Sequence, residues 1–281
     1  MIGNAEEEDF LALLDKIRYD TGFDVRQYKS SFIKRRLAIR LRARGSNSYR
    51  GYMRFLDDDP DEYRYLLDCL TINLSCFFRD EAAFKAVRDV VLAPLIRAKR
   101  ERRERQIRVW SAGCAKGEEA YSVAILLHEL LGSAINDWSI DIRGTDCDAR
   151  ALARARRGIY EDFSLRGVDE AYVRGYFLRD QGYEVKPEIK ALVKFEQHDL
   201  ITDPPPQRLD LILCRNVLFY FSREQQERLL RCFHTALNKG GYLVIGRTEI
   251  LLPTVSRLFL PADPREHIYI KRQIVRTKVR C

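Results

Sequence analysis

No apolar run in this 281-residue chain approaches the roughly 20 residues that a bilayer-spanning helix needs. Its first residues, with Glu6, Glu7, Glu8 and Asp9, lack the basic and apolar segments of a secretory leader. These two absences make a cytoplasmic location the expectation. The seven cysteines, Cys69, Cys76, Cys114, Cys147, Cys214, Cys232 and Cys281, are odd in number and widely spaced, with no CxxC pair. The four histidines, His128, His198, His234 and His267, scatter without metal-ligand spacing. Neither a disulfide framework nor a metal centre is expected, and a reduced compartment fits. No internal repeat or low-complexity segment is visible, and Pro204-Pro205-Pro206 reads as a stiff loop.

What is present is an ordinary globular composition, 46% hydrophobic and 32% charged, with an uneven net charge of +8. Eight basic residues and no acidic one lie between Arg26 and Arg44. A second basic cluster runs from Arg97 to Arg108, diluted by Glu101 and Glu104. Such patches favour nucleic acid, an anionic membrane or an acidic protein surface, and charge alone does not choose among them.

Residues 6–105 read as helical. Phe10, Leu13, Leu14 and Ile17 recur at helical spacing, as do Phe32, Ile33, Leu37 and Leu41, and then Tyr63, Leu66, Leu67 and Leu70. Asp57-Asp58-Asp59-Pro60 marks a stop and a restart, and Pro94 is expected to break or kink a helix that starts near Asp80. After about residue 106 the rhythm changes. Ile107–Trp110, Trp138–Thr145, Val193–Gln197, Leu209–Cys214 and Tyr242–Ile245 read as strands, with helices over Glu118–Leu131, Ala149–Arg157 and Glu224–Leu237 and a closing strand at His267–Lys271. This alternation predicts an α/β fold with a doubly wound, mostly parallel sheet, preceded by a helical segment. The irregular stretch 158–192 reads as an insertion or long crossover.

Leu209–Cys214 ends abruptly on Arg215 and Asn216, with Tyr220 soon after. Polar groups at the end of a buried strand are costly unless partnered, and in open α/β sheets ligands bind at the carboxyl ends of strands. The first strand leads into Ser111-Ala112-Gly113-Cys114-Ala115-Lys116-Gly117-Glu118-Glu119. That loop is neither a phosphate loop, because the lysine precedes the glycine, nor a GxGxxG dinucleotide fingerprint. Glu118 and Glu119 would repel a pyrophosphate but suit an ammonium group, or simply a helix N-terminus. The second strand ends at Asp146, suited to ribose hydroxyls, with Asp148 placed to cap the next helix. A ribose acceptor beside a non-phosphate loop points to a nucleoside with a zwitterionic tail, as in S-adenosylmethionine.

Four ordered blocks then carry a resemblance. Thr71-Ile72-Asn73-Leu74-Ser75-Cys76-Phe77-Phe78-Arg79, Trp110–Glu119, Cys214–Phe221 and Lys239–Leu243 resemble segments of the CheR-type chemoreceptor glutamate methyltransferases, and the likeness covers most of the chain. It implies a helical substrate-docking domain at 1–78 and a Rossmann-like class I methyltransferase domain at 79–281. It also implies that Asn73, Ser75, Arg79, Glu119, Asp146, Asp199, Leu200, Arg215 and Asn216 contact S-adenosylmethionine, leaving S-adenosylhomocysteine as product. Arg79 and Tyr220 fall at positions implicated in orienting donor and acceptor. The basic second helix corresponds to one that docks on the glutamate-bearing helices of the receptor, with Arg35, Arg36, Arg40, Arg42 and Arg44 as candidate contacts.

The residue types agree with that chemistry. A glutamate acceptor is ionised near neutral pH, so no strong general base is required and positioning carries the catalysis. Arg36, Arg40 and Arg44 are spaced to share one helix face, either a docking face or a solvated one. Asp199, Ser75 and Ala120 depart from the family's usual residues, as does Arg247, which replaces a histidine in Gly246-Arg247-Thr248-Glu249. The segment Tyr176–Ile189 is shorter than in members that tether to a receptor pentapeptide, so no tether is expected. Nucleic acid is disfavoured because the basic groups are not interleaved with exposed aromatics for base stacking, and without a long apolar run no membrane insertion is expected. An RNA methyltransferase and a non-enzymatic cofactor-binding adaptor are the alternatives.

Overall fold

The computed structural model describes residues 2–71 and 75–273, with side chains from residue 5 onward. The chain divides into two units, Met1–Ile72 with Tyr220–Gln225, and Asn73–Phe219 with Gln226–Cys281. In the first unit the helical apolar spacing becomes α1 (Ile2–Thr21), α2 (Ser30–Ala43), α3 (Tyr49–Asp58) and α4 (Asp61–Leu70). Phe10, Leu13, Leu14 and Ile17 of α1 meet Phe32, Ile33 and Leu37 of α2, Tyr52 and Leu56 of α3, and Leu66 and Leu70 of α4 in one buried cluster. Ser48 caps α3 by accepting from the Gly51 amide at 3.0 Å. Pro60 immediately precedes α4, where a missing N–H costs nothing.

The second unit opens with one long helical run. Here α5 (Glu81–Ala86) and α6 (Ala93–Glu101) are joined by a π turn over Val87–Leu92, in which the Ala93 amide reaches back to the Arg88 carbonyl. Pro94 has no N–H to offer the carbonyl of Val90, and the widened turn accommodates that loss. The break or kink expected at Pro94 falls beside this π turn, and the helical run continues through it.

Ten strands follow: β1 (Gln106–Ala112), β2 (Ser139–Asp146), β3 (Ile159–Tyr160), β4 (Phe177–Arg179), β5 (Tyr183–Val185), β6 (Val193–Gln197), β7 (Leu209–Cys214), β8 (Leu237–Ile245), β9 (Phe259–Asp263) and β10 (Ile268–Lys271). Seven form one sheet in the order β6-β2-β1-β7-β8-β10-β9. The first five are mutually parallel, and β10 and β9 close the edge antiparallel. From β1 the chain runs outward through β2 to β6, then returns to β7 on the other side. The order thus reverses between β1 and β7, the point where a doubly wound sheet opens a crevice.

Between these strands run α7 (Glu118–Leu131), α8 (Ala149–Arg157), α9 (Glu170–Tyr176), α10 (Pro187–Lys190) and α11 (Arg223–Ala236). Ile107 and Val109 of β1 join the core cluster that contains α7, whereas Trp110 stands edge-on to Phe233 of α11 at 5.5 Å. Alternate residues point to opposite faces of a strand, so helices cover both faces. β7, buried along its whole length, is the sheet's central strand.

The irregular stretch 158–192, an insertion or long crossover by its sequence pattern, contains a small antiparallel sheet of order β3-β5-β4. β9 was also unforeseen, and β8 begins at Leu237, not Tyr242.

Candidate functional site

The loop after β1 is held by its own residues. Gly113 has φ +78°, and a Cβ there would come within 2.6 Å of Val217 Cγ2. The small residue expected to admit a ligand thus also lets the loop after β7 pack against the loop after β1. The Gly113 and Cys114 amides both donate to the Thr145 carbonyl at 2.8 Å. Asp146, at the end of β2, accepts from the Ala115 amide through Oδ2 and the Asp148 amide through Oδ1, each at 2.9 Å. Burial pushes its carboxyl above the usual carboxylate range, and those two amides restrain the rise. Asp148 caps α8 by accepting from Arg150 and Ala151 at 2.8 and 3.1 Å.

The two acids at the head of α7 point to different partners. Glu118 is completely buried and accepts from Ser164 Oγ at 3.2 Å. Burial raises its carboxyl, while its own amide, Lys116, Ser164 and Ser75 pull the other way. Glu119 accepts from Ser111 Oγ at 2.8 Å and from Arg215 Nη1 at 3.4 Å. Burial raises it too, against the Arg215 charge.

Arg215 is the hub of this unit's site. Its side chain is only 2% exposed. Nη2 donates to the Arg79 carbonyl at 2.8 Å and to Asp80 Oδ2 at 2.7 Å. The guanidinium lies 5.1 Å from the ring centre of Phe84 on α5. One side chain at the end of β7 therefore ties the segment bearing Arg79 to the head of α7. Asp80, 30% exposed, pairs with Arg215.

The two phenylalanines before Arg79 explain how that segment is anchored. Phe77 is buried edge-on against Tyr160 of β3 and Phe177 of β4, at 4.8 and 4.9 Å. Phe78 meets Phe84 at 5.6 Å and Tyr172 of α9 at 5.0 Å, and its amide donates to Ser122 Oγ. Phe78, Asp80 and Asn216 all have positive φ (51°, 61° and 63°). Left-handed backbone at non-glycine residues is costly and gathers at functional sites.

Glu249, two residues after Arg247, is a site residue that the sequence motifs do not single out. Its carboxylate, 3% exposed, accepts from four backbone amides. Oε1 takes Val217 at 2.8 Å and Leu218 at 2.7 Å; Oε2 takes Gly246 at 2.6 Å and Asn216 at 3.0 Å. Burial raises the carboxyl, and the four amides oppose that rise. The available signal was an isolated acid between an apolar strand and Ile250-Leu251-Leu252, a place where a charge must find partners. Arg247 itself is exposed and reaches Glu266 at 3.8 Å.

The remaining cofactor candidates are less concentrated. Asp199 and Leu200 are half-buried beyond β6, and Asp199 Oδ1 accepts from the Ile201 amide at 2.8 Å. Ser75 is half-buried. Asn73 lies outside the described residues.

Tyr220 belongs to the helical unit. Its ring lies 4.7 Å from Phe32, and its carbonyl accepts from the Lys29 amide at 2.9 Å. Phe221 stacks on Tyr28 at 4.9 Å. The block Cys214–Phe221 is therefore divided, with Arg215 and Asn216 in the sheet unit and Tyr220 in the helical one.

On the basic helix, two of the five candidate docking arginines pair within the helical unit. Arg40 forks onto Glu62 of α4 at 2.9 and 2.8 Å, Arg44 Nε lies 2.8 Å from the same carboxylate, and Tyr52 donates to it at 2.6 Å. Arg44 also reaches Asp59. Glu62 is completely buried. Burial alone would raise it, but the bonds from Arg40 and Tyr52 and the charges of Arg40 and Arg44 bring it below the ordinary value. Arg40 and Arg44 thus lock α2 to α4. Arg36 lies over Phe32 at 5.6 Å and is half-buried, whereas Arg35 and Arg42 are exposed.

Among the described residues there is no disulfide, no His/Cys/Asp/Glu group able to hold a metal ion, and no helix long and apolar enough to cross a membrane.

Residues 73–264 match the family model for the CheR methyltransferase SAM binding domain, and residues 8–71 match that for the CheR methyltransferase all-alpha domain. The chemotaxis protein methyltransferase of Listeria innocua is 32% identical, over 88% of this chain and 91% of its own length. Chemotaxis protein methyltransferase 2 of Pseudomonas aeruginosa is 33% identical, over 89% and 90%. An uncharacterised 104.1 kDa protein of Rhodobacter capsulatus is 34% identical over 80% of this chain, which spans only 24% of that larger protein.

Proposed function

The chain belongs to the CheR methyltransferase family, and we propose that it transfers the methyl group of S-adenosylmethionine to glutamate side chains on the helical cytoplasmic region of chemoreceptors. The observation that carries this reading is the set of buried and half-buried acids, Glu118, Glu119 and Asp146, gathered with the buried Arg215 at the carboxyl ends of β1, β2 and β7. Each Asp146 oxygen accepts one backbone amide and so retains lone-pair capacity for ribose hydroxyls. Glu118 Oε2 and Arg215 Nε are buried without a hydrogen-bond partner among the described residues. Orphaned polar atoms of this kind suit a polar ligand with an ammonium and a carboxylate. The residues fit the cofactor.

In this reading Asn73, Ser75, Glu119, Asp146, Asp199, Leu200 and Asn216 hold the cofactor. Arg215 positions Arg79 and Glu119 as well as lining the site. When bound, the cofactor supplies an electrophilic methyl group. The acceptor carboxylate is its own nucleophile near neutral pH, so Arg79 and Tyr220 need only fix the approach. Holding reactants in line is worth up to roughly 7–11 kcal/mol. Exposed Arg35 and Arg42, with Arg36 beside them, steer glutamate-bearing helices; Arg40 and Arg44 act through the fold.

The test is to incubate the protein with S-adenosylmethionine and helical receptor fragments, then locate the added methyl groups by tandem mass spectrometry. Methyl groups on glutamate side chains are expected. Methylation confined to RNA, or to other residue types, would overturn the assignment.

A further inference from the structure

Four amide donors converge on Glu249, and the carboxylate is an acceptor-only group with about four lone-pair sites to offer them. Each oxygen serves two donors: Val217 and Leu218 on Oε1, Gly246 and Asn216 on Oε2. Three of the four belong to consecutive residues that follow β7 after Arg215, so their amides all turn inward toward one side chain. That turn is where Asn216 adopts its left-handed backbone, φ 63°, a conformation that persists only when its surroundings enforce it. Among the described residues no basic side chain pairs with Glu249, so its charge is met by backbone dipoles alone. The same geometry shapes Gly246, where a Cβ would come within 2.8 Å of Glu249 Oε2 and 2.9 Å of the Asn216 amide.

We infer that Glu249 is a positioning residue for the cofactor site: it sets the 216–218 turn and so the placement of Asn216. This rests on the reading that S-adenosylmethionine binds at the carboxyl ends of β1 and β7. A glutamine cannot replace it, because whichever way its amide lies, the NH2 faces two N–H donors. An aspartate is one methylene short of reaching both pairs. The requirement is for this length and this charge.

The experiment compares wild type, Glu249→Gln and Gly246→Ala by calorimetric titration with S-adenosylhomocysteine, by amide hydrogen exchange and by steady-state kinetics. In Glu249→Gln, cofactor affinity falls and cofactor KM rises by at least about tenfold, the scale set by loss of one charge-assisted hydrogen bond. The KM for the receptor fragment changes far less, and faster exchange concentrates at residues 216–218. Gly246→Ala keeps the carboxylate but crowds the clamp, and gives the same split in milder form; it carries the test if Glu249→Gln does not fold. A merely structural role would lower the active fraction, and hence kcat, with both KM values unchanged, and that result overturns the inference. Unchanged affinity in both variants, with wild type binding normally, does the same. Wild-type protein that takes up no S-adenosylhomocysteine contradicts the cofactor reading itself.

Discussion

Arg215 donates from Nη2 to the carbonyl of Arg79 at 2.8 Å, joining residues 136 positions apart in the chain. The same nitrogen bonds Asp80, and Nη1 reaches Glu119. Replacing Arg215 with methionine keeps the volume but leaves Asp80 and Glu119 without their cation. Breaking a buried pair in this way costs about 3–5 kcal/mol, to be read as a lowered denaturation midpoint. Arg215→Lys restores the charge without the fork and should recover only part of the loss. A midpoint unchanged in Arg215→Met would show that the cluster does not hold this segment.

Arg79→Ala and Tyr220→Phe separate orientation from binding. Each is expected to lower kcat by about 100-fold, the penalty for a slightly misplaced reactant. Affinity for S-adenosylhomocysteine should change by only a few-fold. Normal turnover in both variants would remove these residues from the reaction.

The basic helix separates into two kinds of arginine. Arg35→Glu and Arg42→Glu should raise the KM for receptor fragments, with the effect shrinking as salt is added. Arg40→Ala should instead destabilise the helical unit, because it strips Glu62 of its bidentate partner. Thermal unfolding alongside salt-dependent kinetics distinguishes the two, and a docking defect in Arg40→Ala without loss of stability would merge them.

Acidification should act on the two units in opposite senses. Glu62 titrates below its ordinary 4.5 in the folded state. Its contribution is present above the unfolded value and is lost as pH falls through the folded one. In the sheet unit, Glu118, Glu119, Asp146 and Glu249 are all raised by burial. Their folded state binds more protons, so that unit loses stability as pH rises through the window just above the ordinary carboxylate values. Hydrogen exchange resolved by unit across this range should show the helical unit loosening first on acidification. Simultaneous loosening would contradict the assignment.

Much of this was legible in the chain because buried strands and amphipathic helices announce themselves. The strands at Val193–Gln197 and Leu209–Cys214 and the helices at Glu118–Leu131 and Ala149–Arg157 have the expected bounds. β3, β4 and β5 hold two or three residues each, too few for an alternation to register. The spacing of Arg36, Arg40 and Arg44 gave their shared face but not what that face meets, since Glu62 lies 22 residues beyond Arg40. Glu249 was hidden for a related reason: its partners are backbone amides, which carry no sequence signature.

The central claim is that the product is a protein carboxyl ester, and its alkaline lability tests that directly. Receptor fragment labelled from methyl-tritiated S-adenosylmethionine should release its label as volatile methanol in mild base, and wild-type protein should be required for that release. Label that stays on the protein through alkali, or that appears only on RNA, would contradict the account.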